Sequence, residues 1–413
     1  MGRTRALAML AALAPAAPTW GATALLEGEG GSLTLGGYAR TLAGLQMIRV
    51  ERAPEIHSDL FPNHFSLSTT VLRLEWKAAL GDHFSAELHD RLYLGLTSEA
   101  LVVGDQKLGL SASIVPTRSV NLRSVIYDED RMQFEHDIDR LALRASLGDF
   151  DITVGRQAIT WGLSELFPVA DLWTNFSPFE LDTTQKRGID ALRVLYSQGR
   201  ALEVEGVIAD RGSLQDLSVG LRVASYGSGA DFYFALAKQW RKILAFAGVS
   251  APAGAFKFRA EAAEPFDLDR GEYVAPRASV GADWRNANVT LALEVHYNGT
   301  GVLRASEYVS HYQSSTALQH GESYLLGRWY AGAAAVWKIL ELYQLSLSAL
   351  VNLQDPSSVI AGAFTYQLTQ GTELSLGGYQ GIGKSPLIKL DSEIRSELGS
   401  AGGMVYLALV SFF

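Results

Sequence analysis

Along most of this chain apolar and polar side chains occupy alternate positions, the period of a β-strand with one apolar face. Leu72, Leu74, Trp76, Ala78 and Leu80 alternate with Arg73, Glu75, Lys77 and Ala79. After Gly81-Asp82 the alternation resumes, with Phe84, Ala86 and Leu88 set against Ser85, Glu87 and His89. The unit recurs at Leu141, Leu143, Ala145 and Leu147, turns at Gly148-Asp149 and continues through Phe150, Ile152 and Val154. Both hairpins share a Leu-Gly-Asp connection, whose glycine suits the positive φ of a tight turn. A soluble sandwich also alternates, but it does not keep Arg, Glu and Lys on one face of strand after strand.

The pattern predicts an all-β fold, a transmembrane antiparallel up-and-down β-barrel of about 18 strands. They fall near 32–46, 67–80, 83–95, 132–147, 150–157, 188–196, 201–209, 216–225, 230–238, 242–250, 255–263, 274–285, 288–297, 323–337, 342–351, 358–368, 372–380 and 402–413. Connections after even-numbered strands are short. The long ones, 47–66, 96–131, 158–187, 264–273, 298–322 and 381–401, all follow odd-numbered strands. That asymmetry is expected of short periplasmic turns and long extracellular loops, with both termini periplasmic. The short odd connections at 210–215, 239–241 and 352–357 leave sixteen strands as the alternative count. Trp76, Phe84, Trp240, Trp284, Tyr297, Trp329, Trp337 and Phe413 sit near strand ends on the apolar phase, as interfacial girdles require. Asp90 breaks the rule, being in register with Leu88; a bulge or an early exit from the membrane would account for it.

The two ends fit this plan. Arg3 and Arg5 precede an apolar stretch from Ala6 to Ala17 and a small-x-small site at Ala22-Thr23-Ala24. Residues 1–24 therefore read as a secretory signal peptide and 25–413 as a single barrel domain. An uncleaved anchor is disfavoured by Pro15 and Pro18. Val405-Tyr-Leu-Ala-Leu-Val-Ser-Phe-Phe413 is an alternating strand ending on an aromatic residue. It reads as the closing strand, and a terminal aromatic resembles the signal that barrel-assembly machinery recognises. The location expected is the outer membrane of a Gram-negative bacterium, in contact with lipid and lipopolysaccharide.

Composition narrows the chemistry. With no Cys among 413 residues, disulfides and thiolate metal sites are excluded. A net charge of −9 argues against nucleic acid as partner. The histidines follow no HExxH spacing, and although His311 and His320 share a loop with Ser314, Ser315 and Glu307, proximity in sequence does not make a triad. No cofactor, metal or catalytic residue is expected, and the chain is read as not an enzyme.

If the apolar phase faces lipid, the other phase lines the lumen, and there basic residues outnumber acidic ones. Arg40, Arg73, Arg140, Arg144, Arg156, Gln157, Arg222, Arg259, Arg277 and Arg328 are the candidate pore-lining and substrate-binding residues. An Arg-lined pore with low-dielectric walls favours anions. Alternatively, Arg and Glu pair across neighbouring strands and stiffen the wall. Residues 158–187 form the candidate constriction loop, carrying Trp161, Phe167, Trp173, Phe176 and Phe179. Its aromatics suit stacking on sugar rings, or packing on the inner wall.

From Val154-Gly-Arg-Gln-Ala-Ile-Thr-Trp-Gly162 to Arg187-Gly-Ile-Asp-Ala-Leu-Arg-Val194 the chain resembles outer-membrane barrels of the alginate-export type, which show a comparable strand–GRQ–loop–strand pattern. Arg156, Gln157 and Asp190 match it. The resemblance implies a conduit that exports an anionic polysaccharide, together with a periplasmic export partner. The competing readings are a general diffusion porin for small nutrients and a closed barrel serving as adhesin or scaffold. The run Ala331-Gly-Ala-Ala-Ala335 is a candidate flat flank for oligomer contact.

Overall fold

The fold was obtained as a computed structural model that describes residues 22–413 except 29, 55–61, 100–101, 104–105, 108–115, 174–184, 200, 228 and 390–392. Eighteen antiparallel strands form the wall. They are β1 (Gly31–Met47), β2 (His64–Leu80), β3 (Phe84–Thr97), β4 (Met132–Leu147), β5 (Phe150–Gln157), β6 (Ile189–Gln198), β7 (Leu202–Ala209), β8 (Ser218–Tyr226) and β9 (Asp231–Gln239). The circuit continues through β10 (Lys242–Ala253), β11 (Phe256–Asp267), β12 (Arg277–Arg285), β13 (Val289–Asn298), β14 (Trp329–Ile339), β15 (Tyr343–Asn352), β16 (Ser357–Thr369), β17 (Thr372–Ile382) and β18 (Gly403–Phe412). Each strand pairs with the next. β18 then returns to β1, with Met47 opposite Gly403 and Tyr38 opposite Phe412, which closes the circuit of eighteen.

The alternative count of sixteen fails at each of its three weak points. The connections between β7 and β8, β9 and β10, and β15 and β16 all join fully paired hairpins. Gly81 and Gly148 sit at φ +62° and +63° in the turns where the sequence demanded a positive φ. One boundary moves: β14 starts at Trp329, not near 323. The residues before it give their amides to side chains instead of a ladder. Gly327 N–H donates to Tyr330 Oη at 2.6 Å, and Arg328 N–H donates to Gln354 Oε1 at 2.6 Å. Short helices Tyr308–Ser314 and Thr316–Gln319 occupy the preceding loop. An N-terminal strand, Thr23–Gly28, folds back on β1 and spans the expected start of the mature chain. Residues 1–21 lie outside the described part.

The alternation sorts the two faces. Outward positions on β8 are Val219, Leu221 and Val223, on β9 Phe232, Phe234 and Leu236, and on β13 Leu291, Leu293 and Val295. Their inward neighbours are small or polar, for example Ser218, Arg222 and Ala224 on β8. Among the described residues no helix is long and apolar enough to cross a membrane.

The Asp90 anomaly has a definite cause. The register between β3 and β4 slips there, because His89 faces Arg140 while Asp90 faces Ile138. Asp139 is the extra residue of a bulge on β4. Asp90 itself stays on the outward phase with Leu88 and Leu92. Beyond the bulge the phase of β4 inverts, so Glu135, Asp137 and Asp139 turn inward and are buried. Simple alternation assigns all three to lipid, and their arrival removes much of the expected excess of positive charge in the lumen.

Candidate pore constriction

The loop after β5 turns into the barrel. Its backbone cannot join a ladder there, so its amides need other acceptors in a space with little water. Two inward carboxylates on neighbouring parts of the wall supply them. Glu261 of β11 accepts the amides of Leu163 at 2.5 Å, Ser164 at 3.1 Å and Val169 at 3.3 Å, and the Tyr233 hydroxyl at 2.8 Å. Glu294 of β13 accepts those of Glu165 at 2.7 Å, Leu166 at 2.8 Å and Phe167 at 3.0 Å. Arg259 closes the cluster, bonding Asp283 at 2.6 Å, Glu294 at 3.1 Å and the Leu163 carbonyl at 3.2 Å. Charge-assisted bonds of this kind are the strong class, and six of them go to one short stretch of backbone.

Side chains of the loop complete the attachment. Trp161 and Trp173 meet edge to face with ring centroids 5.4 Å apart, each only 2% exposed. They pack with Ile159, Val169 and Leu172 against Ala191, Val207, Ala209, Ala235, Ala237 and Leu244 of the inner wall. The wall is cut back to receive them: a Cβ on Gly220 would lie 2.5 Å from the Trp161 ring. Phe167 stacks on His296 at 5.0 Å and, with Leu166, fills the space above Gly332, beside Tyr330 and Ala334. Trp161, Phe167 and Trp173 therefore pack on the wall, and their buried rings offer no face to a passing sugar. Phe176 and Phe179 lie outside the described residues. The clue in the sequence was the run of Ala and Gly at inward positions of β6–β10, a wall with room for something large.

The remaining lumen is polar. A cavity of about 570 Å³ lies beside the loop, lined by Thr34, Glu75, Lys77, Glu87, His89, Arg140, Arg144, Thr153, Gln157 and Arg193 among others. The candidate cations are placed unequally around it. Arg73 is buried and bound to Asp139 at 2.9 Å, Glu75 at 3.0 Å and His89 Nδ1 at 2.8 Å. Arg140 donates to the carbonyls of Asp139 and Lys186. Arg144 pairs with Asp151 at 2.5 Å, yet its side chain is 52% exposed, and that of Lys77, 3.3 Å from Glu75, is 58% exposed. These two are the cations most open to the cavity.

The other candidates are held elsewhere. Arg156 sits at the end of β5 on the phase of Val154, clamped by Asp190 at 2.8 Å and the carbonyls of Ile138 and Val120. Its neighbour Gln157 lines the cavity and donates to the Ala191 carbonyl at 3.1 Å. Arg222 lies over the Tyr233 ring at 5.3 Å. Arg259 belongs to the loop anchor. Arg277 donates to the Glu322 carbonyl at 3.3 Å, and Arg328 to the Gly301 carbonyl at 2.7 Å. Arg40 occupies an inward position on β1, away from the residues that line the cavity. Cross-strand pairing thus accounts for most of the arginines that alternation placed in the pore.

A second latch joins two further loops at the end of the barrel from which the loop after β5 also leaves the wall. Glu397 is buried and receives the Leu326 amide at 2.8 Å, the Asn352 side-chain amide at 2.7 Å and the Tyr330 hydroxyl. Asp355 accepts the Glu397 amide at 2.7 Å. Burial pushes the Glu397 carboxyl up to about 7.

No family model matches the chain, and no curated protein resembles it closely in sequence. Its fold is shared with solved porins. A BenF-like porin from Pseudomonas fluorescens Pf-5 aligns over 92% of this chain and 98% of its own with a TM-score of 0.55 and 9% identity. Acinetobacter baumannii OccAB2 aligns over the same shares with a TM-score of 0.55 and 7% identity. Pseudomonas aeruginosa OpdK, in a structure with vanillate, aligns likewise with a TM-score of 0.53 and 9% identity. These likenesses establish the barrel fold. The resemblance to alginate-export barrels finds no support among them, since the Gly-Arg-Gln match reflects a strand end and a local clamp.

Proposed function

We propose that this chain is an outer-membrane channel for small solutes, with a preference for anions. The observation that carries it is the division of the lumen. A loop fixed by Glu261 and Glu294 fills one side, and the polar cavity with Lys77 and Arg144 exposed remains on the other. A space of about 570 Å³ accommodates a small solute. The small-solute reading therefore displaces polysaccharide export, and with it the need for a periplasmic export partner. The solved porins of similar fold support the same direction, and one of them was captured with vanillate, a small aromatic carboxylate.

In this reading the short-turn end faces the periplasm, both termini of the barrel lie there, and Phe413 is presented to the assembly machinery. Reversal potential in a planar bilayer under a salt gradient tests the proposal. Anion-selective current that loses selectivity in the double variant Lys77→Ser/Arg144→Ser supports it. A silent bilayer sinks the channel and favours a closed scaffold.

A further inference from the structure

Three connections at the long-loop end meet at one buried carboxylate. Glu397 lies in the stretch 393–402 that leads into β18, and its two oxygens take donors from neighbouring segments. From the β13–β14 loop Leu326 N–H donates at 2.8 Å and Gly327 N–H at 3.3 Å, and from the end of β15 Asn352 Nδ2 donates at 2.7 Å. The Tyr330 hydroxyl of β14 is the fourth donor. The titratable groups facing this carboxyl are Tyr330, Tyr308 of the helix Tyr308–Ser314, and Asp355, which accepts the Glu397 amide at 2.7 Å. The adjoining arginines are turned elsewhere. Arg328 donates to the Gly301 carbonyl at 2.7 Å, and Arg395 to the Ser385 carbonyl at 2.8 Å and to Glu51 at 2.5 Å. Among the described residues neither Glu397 nor Asp355 has an ion pair, although both are buried.

Opposing influences act on Glu397. Burial and the nearby Asp355 penalise its charge, the four donors stabilise it, and the balance leaves the carboxyl titrating at about 7. The joint is also tied to the constriction. Leu398, the next residue, belongs to the apolar cluster that holds Leu166 and Phe167 of the inward loop, with Leu350, Val359 and Ala361 of the wall. Gly402, at φ +65°, connects the stretch to β18 through a conformation that glycine adopts freely. We propose that Glu397 is a proton-operated clasp. With the proton bound, the β13–β14 loop and the stretch 393–402 stay joined inside the mouth; ionisation parts them and lifts Leu398 off the constriction loop. The ionised carboxylate gains more from water than from four donors beside a second buried carboxylate. As regulation of a pore the clasp rests on the channel reading; as a motion of two loops it does not.

The chain contains no cysteine, so spin labels can be placed at Tyr312→Cys and Glu393→Cys, solvent-accessible positions on the two loops. The full chain is refolded into lipid nanodiscs, and the distance between the labels is measured from pH 8 to pH 5.5. Across that range a carboxyl raised to about 7 shifts the ratio of joined to parted loops about 30-fold, toward joined at acid pH. The proposal expects a longer distance at pH 8 and, in a planar bilayer, a larger current there. Both differences should vanish in Glu397→Gln, which imitates the protonated acid and stays joined. Asp355→Asn removes the neighbouring charge and should move the midpoint of the distance change to lower pH, which a merely structural contact would not do. Heat-shifted gel mobility confirms that each variant is a folded barrel. A distance that is the same at both pH values overturns the proposal, and so does a change that persists in Glu397→Gln. A silent bilayer beside an intact distance change upholds the clasp and refutes only the channel.

Discussion

Phe413 and Gly37 exchange both of their backbone hydrogen bonds: Gly37 donates to the Phe413 carbonyl at 2.8 Å, and Phe413 donates back to the Gly37 carbonyl at 3.1 Å. The last residue of the chain thus completes the ladder that closes the barrel. Only glycine fits on the other side of this contact. A Cβ at position 37 would stand 2.0 Å from the Arg73 carbonyl and 3.2 Å from the Phe413 ring.

Gly37→Val should therefore impair closure. Overpacking of this kind costs about 1–3 kcal/mol, and backbone cannot move aside as a side-chain tip can. Urea unfolding in lipid, followed by gel mobility, should show a lowered midpoint, while Gly28→Val, with open space around it, should not.

Glu294→Ala should loosen the constriction without unfolding the wall. It strands three loop amides at about 1–3 kcal/mol each when buried. The expected record is a larger, noisier single-channel current. An unchanged, quiet trace would mean that packing of Trp161 and Phe167 alone holds the loop.

Arg73 and Arg144 should respond differently to substitution. Arg144→Ser removes an exposed cation and should move the reversal potential toward cations with little change in stability, since exposed pairs are worth about 0–1 kcal/mol. Arg73→Ser leaves the buried Asp139 carboxylate with only the Arg140 guanidinium, 3.5 Å away, and should cost up to about 3–5 kcal/mol in unfolding free energy.

The loop latch at Glu397 should depend on pH. Its folded carboxyl titrates near 7, above the ordinary glutamate value. A raised value means that the folded state holds the proton more tightly. The stabilising contribution is complete below the ordinary value and is lost as pH rises through 7. The protection factors of the Leu326 and Gly327 amides, which correct for the base catalysis of exchange itself, should rise on acidification from pH 8 to pH 5.5. Glu397→Gln should make that protection independent of pH.

The local period of two was sufficient to place all 18 strands and to tell short turns from long loops, because each strand records its own two faces. It placed the closing strand at β18 and the demanding turns at Gly81 and Gly148 for the same reason. Asp139, Glu135 and Asp137 were misassigned because a bulge is decided by pairing with β3, a partner some fifty residues away whose influence leaves no mark in the alternation of β4. Which arginines meet water was likewise settled across strands: Arg73 finds Asp139, while Arg144 keeps half its surface open. The loop from 158 to 187 has no period at all. The path of residues 158–173 was chosen by Glu261, Glu294 and an Ala-rich wall that only closure of the barrel brings to face them, so the shape of the pore belongs to the tertiary structure.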